Sequence, residues 1–116
     1  MEKHNINYWI YPGLTYNIYD TKTAMKAVTQ IFNVTAEELM SKSRKRYITE
    51  ARFAYCYITR KKLYYTLDVI GKSINRHHAT VIHNVNMAKI LGEQNTTIKH
   101  KIDILNANIN KRKIER

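Results

Sequence analysis

The sequence predicts an all-α fold: a small helical domain organised around a helix-turn-helix, read from three observations. First, an apolar segment over residues 67–74 breaks at Asn75-Arg76, and a new helical period then runs through Val81, Val85 and Ala88. Second, only 3 Gly and 1 Pro are present, too few turn formers for a many-stranded sheet. Third, the apolar residues, 44% of the chain, recur at helical spacing, and 116 residues suffice for one core rather than two. A single compact unit with tails is expected.

Taken in order, residues 1–20 form an aromatic arm, with Tyr8, Trp9, Tyr11, Tyr16 and Tyr19 among Ile6, Ile10, Leu14 and Ile18, and one turn signal at Pro12-Gly13. Such an arm either covers the core or offers a docking surface for a protein or for stacked bases. Helix one starts near Asp20 or Thr21 as N-cap, packs Ala24, Met25, Val28, Ile31 and Phe32 inward, and ends at Asn33. Thr35-Ala36-Glu37-Glu38 has the capping-box pattern of a short second helix through Leu39 and Met40.

Residues 41–46, Ser-Lys-Ser-Arg-Lys-Arg, read as a basic loop whose side chains can reach phosphates or a minor groove, against the plainer reading of a solvated linker. A third helix is expected over residues 49–63, with Ala51, Tyr55, Ile58, Phe53 and Tyr57 inward and Arg52, Arg60, Lys61 and Lys62 outside or at its end. Cations in a last turn also suit the helix dipole, so these last three have a structural reading too.

Thr66 caps the first helix of the motif, Asp68 sits in its first turn, and Leu67, Val69, Ile70 and Ile74 form its buried side. Gly71 in mid-helix costs about 1 kcal/mol against Ala and is expected to permit close approach of the next helix. In the second helix Val81, Val85 and Ala88 share one face while Ala79, His83 and Asn86 look outward. Gly92 is expected to stop it, and a last helix from about Thr96 carries the stripe Ile98, Ile102, Leu105 and Ile109 before the basic tail Lys111-Arg112-Lys113.

The net charge of +11 is placed rather than spread. Residues 1–40 hold 3 Lys and 4 acids, residues 41–62 hold 8 basic residues and 1 acid, and residues 63–116 hold 9 basic residues and 4 acids. A basic surface of this kind attracts polyanions, nucleic acid first and anionic membrane second. No apolar run approaches the roughly 20 residues of a membrane span, and the first residues do not have the form of a signal peptide. Cys56, the only cysteine, reads as a buried structural thiol, which excludes an internal disulfide or a cysteine-based zinc site from one chain and fits a reducing, cytoplasmic setting. His77, His78 and His83 lack a companion carboxylate at ligand spacing, so neither metal nor cofactor nor catalysis is expected.

From about residue 24 to 91 these features resemble the C-terminal DNA-binding domain, domain IV, of the bacterial chromosomal replication initiator DnaA. That family joins a loop Ser-Lys-x-Arg-x-Arg to a helix-turn-helix with Ile-Gly and then Arg-Asp-His-Thr-Thr-Val-x-His. Here Ser41-Lys42-Ser43-Arg44-Lys45-Arg46 matches the loop, and Ile70-Gly71 followed by Arg76-His77-His78-Ala79-Thr80-Val81-Ile82-His83 matches the signature, in the same order and with the same spacing from Ser41 to Gly71. The resemblance implies a Trp repressor-like helical arrangement. It implies that Arg44, with Lys42, Lys45 and Arg46 beside it, enters a minor groove, that His78 reads bases in the major groove, and that Thr80 and Ile82 meet the backbone. Arg60 matches a phosphate-contacting position, and Arg76, His77, Ala79 and His83 complete the expected surface.

The chain departs from the pattern where His77 replaces Asp and Ala79 replaces Thr, and its turn is shorter by one residue. Asp accepts from a cytosine amino group whereas Ala touches only a thymine methyl, so the family's recognition site is not carried over. No Gly-x-x-x-x-Gly-Lys-Ser/Thr loop is present, so no AAA+ ATPase module and no complete initiator is expected in this sequence. The expected organisation is an arm over 1–20, a DNA-binding unit over 21–92 with its loop at 41–46 and helix-turn-helix at 66–91, and a C-terminal helix and tail over 93–116. The expected function is binding of double-stranded DNA by a stand-alone regulator or accessory replication factor of bacterial, phage or mobile-element origin. It would act as a monomer or weak homodimer at the cytoplasmic nucleoid. The alternatives are an RNA-binding module and an adaptor that recruits a protein partner through the aromatic arm.

Overall fold

The computed structural model describes residues 18–94 and 96–109, and in them the chain is a bundle of six α-helices. The readings of the aromatic arm before Ile18 and of the basic tail at Lys111 to Lys113 lie outside the described residues. The helices are α1 (Thr21–Phe32), α2 (Ala36–Met40), α3 (Arg46–Tyr57), α4 (Leu67–Ser73), α5 (His78–Gln94) and α6 (Thr96–Ala107), with a π-helical turn (Ile58–Lys62) closing α3.

The caps are those the sequence implies. Asp20 and Thr23 form a reciprocal capping box on α1, Thr35 and Glu38 form another on α2, and the Thr66 side chain accepts from Val69 N–H at the start of α4. The backbone N–H donated by Thr23 holds the Asp20 carboxyl below the usual carboxylate range. Asn33 ends α1 in the left-handed conformation at φ 56°, where asparagine is tolerated.

Helix α3 is the centre of the bundle, touching α1, α2 and α5, while α4 and α6 both lean on α5 and α6 returns to α1. The core collects Ala24, Val28, Ile31, Leu39, Ile48, Ala51, Tyr55, Ile58, Ile70, Ile74, Val81, Val85, Ile98, Ile104 and Leu105, all buried. Cys56 is fully buried as expected, and burial pushes its thiol up to about 12. Ile18, at 0% exposure, closes the bundle by forming a parallel bridge to Ile109.

Several expectations are corrected. Helix α3 begins at Arg46 rather than Thr49, because Lys45 opens it without a side-chain cap and Thr49 turns its hydroxyl back to the Arg46 carbonyl. Arg52, expected outside, is only 5% exposed, drawn inward by backbone carbonyls. Val69 is 44% exposed on the free side of α4, leaving Ile70 and Ile74 to anchor that helix. Gly92 does not stop α5, which runs through it to Gln94, held by Ala88 on the core and by packing on α6. Ile109 lies beyond the end of α6, and Ile104 joins the buried stripe in its place.

Candidate nucleic-acid interface

The helix-turn-helix consists of α4, its turn and α5. Ile74, Asn75 and Arg76 close α4 with two bonds: Asn75 N–H donates to Lys72 O at 3.3 Å, and Arg76 N–H to Gly71 O at 2.7 Å. Asn75 takes φ 58° between them, so this is a Schellman closure with asparagine in the left-handed position. A β-carbon on Gly71 would overlap the Arg76 carbonyl oxygen and meet Val81 Cγ2 at 3.5 Å. The expected close approach is therefore real, and the turn's backbone makes it together with α5.

The motif is fixed to the core from α3. The Ser73 hydroxyl donates to Ile70 O at 2.6 Å, so the Tyr55 hydroxyl donates to Ser73 Oγ, also at 2.6 Å. Burial pushes the Tyr55 phenol up to about 12, keeping it a donor.

The basic loop is folded by its serines and clamped by two arginines. Ser41 Oγ accepts from Ser43 N–H and Ser43 Oγ from Lys45 N–H, each at 3.2 Å. The buried Arg52 guanidinium donates to Leu39 O at 2.8 Å, Ser43 O at 2.7 Å, Glu38 O at 3.0 Å and Ser41 O at 2.7 Å. Arg76 donates to the same Ser41 carbonyl and, through Nη1, to Met40 O, Ile74 O and Asn75 O at 3.1 to 3.4 Å. Burial, and then the Arg76 charge, lower the Arg52 pKa from the ordinary arginine range. Sequence reasoning missed Arg52. The guanidinium of Arg76, expected on the DNA-binding surface, donates to carbonyls that tie the loop to the turn. The Ser-x-Ser spacing before a mid-helix arginine was the signal available.

Lys42, Arg44, Lys45 and Arg46 are left exposed on this clamped loop, Arg46 paired with Glu50 at 3.2 Å. Between the loop and the start of α5 lies an open groove of about 980 Å³. Its walls include Lys42, Arg44, Arg52, Arg76, His77, Thr80 and His83, and among the described residues no carboxylate lines it. Phe53 also lines it, its ring in a T-shaped contact with that of His83, centroids 6.3 Å apart.

At the α5 start, His77 is the N-cap: its Nδ1 accepts from Ala79 N–H at 3.3 Å, and its carbonyl from Thr80 and Val81 N–H. Its ring stacks on that of His78 with centroids 4.3 Å apart. His78, Ala79, Ile82 and His83 are exposed and Thr80 is half-buried; of the predicted helix residues, Thr80 and His83 line the groove together with His77. Arg60 stands apart: the π-helical turn carries it inward, where Nη1 donates to Tyr65 O at 2.9 Å. Among the described residues no group of three His, Cys, Asp or Glu is placed to hold a metal, and no helix is long and apolar enough to cross a membrane.

The family model described as bacterial dnaA protein helix-turn-helix matches residues 21–90. The chromosomal replication initiator protein DnaA of Pseudothermotoga lettingae is 33% identical over 82 residues, which is 70% of this chain and 18% of that protein. The DnaA of Desulfatibacillum aliphaticivorans is 38% identical over 64 residues, 55% of this chain and 14% of that one. The DnaA of Ureaplasma parvum is 35% identical over 83 residues, again 70% and 18%. The chain thus spans less than a fifth of the length of these relatives. The matched residues hold both the clamped loop and the helix-turn-helix, and the chain belongs to the bacterial DnaA helix-turn-helix family.

Proposed function

We propose that this protein binds double-stranded DNA with the start of α5 in the major groove and the loop over residues 41–45 in the adjoining minor groove. It then acts as a stand-alone regulator or accessory replication factor of a bacterium, phage or mobile element, working at the nucleoid. The observation that carries the reading is the groove itself: the loop and the helix-turn-helix meet across it with α3 between them, and among the described residues that line it every charge is positive. A positively charged surface of this form suits phosphates and narrow, electronegative grooves. Membership of the DnaA helix-turn-helix family supports the DNA-binding role.

In this reading Arg44, with Lys42, Lys45 and Arg46 beside it, enters the minor groove. His78 meets base edges with Ala79 and His83, while Thr80 and Ile82 meet the sugar-phosphate backbone. The binding unit covers residues 21–92, and the aromatic residues of the arm over 1–20 would serve a protein partner.

Arg44→Ala and His78→Ala should each weaken specific binding by about 1 to 3 kcal/mol, roughly 5- to 150-fold in Kd. Fluorescence anisotropy on a site selected from random duplex DNA measures this. Unchanged affinity in both variants would show that the readout surface lies elsewhere. Equal competition by duplex RNA of the same charge would instead favour an RNA-binding module.

A further inference from the structure

His77 occupies two positions at once, the N-cap of α5 and the wall of the groove, and the first determines what it can do in the second. Its Nδ1 accepts the Ala79 N–H, so the neutral ring carries its proton on Nε2. Nε2–H is then the ring's remaining hydrogen-bonding group, and it is a donor. Stacking on His78 with 33° between the planes, together with the bond to Ala79, fixes the ring relative to the helix start. A donor held at the first turn of a recognition helix discriminates among bases. In the major groove guanine offers acceptors at both N7 and O6, adenine at N7 and thymine at O4, whereas cytosine offers only an amino donor, so a lone N–H donor discriminates above all against cytosine.

We propose that His77 is a specificity-determining residue that rejects cytosine at the base facing the start of α5 and takes guanine there instead, through Nε2–H to its N7 or O6. The inference rests on the DNA-binding reading above. It also defines the consequence of the histidine that stands where the resembling family has aspartate. An aspartate there is an acceptor and selects the opposite base, cytosine.

The test is selection of bound sites from random duplex DNA with the wild-type chain and with His77→Asp. Aspartate is itself a favoured N-cap, so this substitution preserves the start of α5. The expected result is one position at which wild type prefers guanine over cytosine by about tenfold and the variant reverses that preference, the other positions remaining unchanged. If both proteins select the same base at every position, or if wild type selects cytosine at the position the variant changes, His77 is not the reader and the proposal falls while DNA binding stands. If wild type enriches no sequence and binds duplex DNA without salt dependence, both readings fall together.

Discussion

Arg52 shows how a single side chain can be indispensable to a surface it does not form. Its guanidinium satisfies carbonyls of Glu38, Leu39, Ser41 and Ser43, which belong to the end of α2 and to a loop that makes no sheet or helix of its own. Arg52→Met keeps most of the packing volume and removes every one of those donors. Taking the donor from the Leu39 and Ser43 carbonyls, and one of several from those of Glu38 and Ser41, should cost about 2 to 4 kcal/mol, or a fall in Tm of roughly 10 to 20 °C for a domain of this size. Arg52→Lys keeps the charge but not the planar fork, and one ammonium cannot reach four carbonyls, so it should recover less than half the loss. Thermal unfolding of the three proteins measures both effects. A Met variant within 2 °C or so of wild type would show that the serine turns alone hold the loop. The role of Arg52 was hidden in the sequence because helical periodicity ranks arginine as outward, and only the carbonyl cluster formed by α2 and the loop reverses that ranking.

At the scale of the elements, what was legible was what local chemistry decides. Asp20, Thr35 and Thr66 cap the helices they were expected to cap, and the 3.6-residue period gave the buried faces of α1 and α5. What was not legible depended on neighbours. Gly92 and Gly71 are the same residue in helical settings, yet a β-carbon at Gly92 meets nothing within 4 Å whereas at Gly71 it overlaps the Arg76 carbonyl oxygen. Gly92→Ala should therefore stabilise by up to about 1 kcal/mol through helix propensity. Gly71→Ala should destabilise by about 1 to 3 kcal/mol, since the atom in the way is backbone inside the Schellman closure and cannot rotate aside. Urea unfolding of both variants gives the two shifts. Opposite signs are expected, and a stabilised Gly71→Ala would mean that α4 and its turn can separate without strain. For the candidate site, the exposed loop cations and the α5 residues were legible from their motifs. The commitment of Arg60 and Arg76 to carbonyls was not, because it follows from the π-helical turn and from the loop lying against the helix-turn-helix.

For the whole molecule, the net charge of +11 overstates what is available to a polyanion. Arg52, Arg60 and Arg76 give their donors to backbone carbonyls, and Arg46, Lys72 and Lys99 each face a carboxylate one helical turn away. The exposed cations beside the groove are Lys42, Arg44 and Lys45, and a second exposed group is formed by Lys61, Lys62 and Lys89. Lys61 and Lys89 stand close enough that the Lys89 charge lowers the Lys61 pKa, a repulsion that a phosphate placed between them would relieve. With about 5 to 8 phosphates neutralised, the observed binding constant should fall with salt at a log-log slope of roughly −4 to −7. Lys61→Gln should make that slope shallower by about 1 without altering the selected sequence, because a phosphate contact positions and does not read. Titrating one duplex at several salt concentrations with both proteins measures the difference. A slope near zero in wild type would remove the electrostatic basis for DNA binding. An unchanged slope in the variant would confine phosphate contact to the loop and the start of α5, leaving the lysine pair a crowded but solvated end of the bundle.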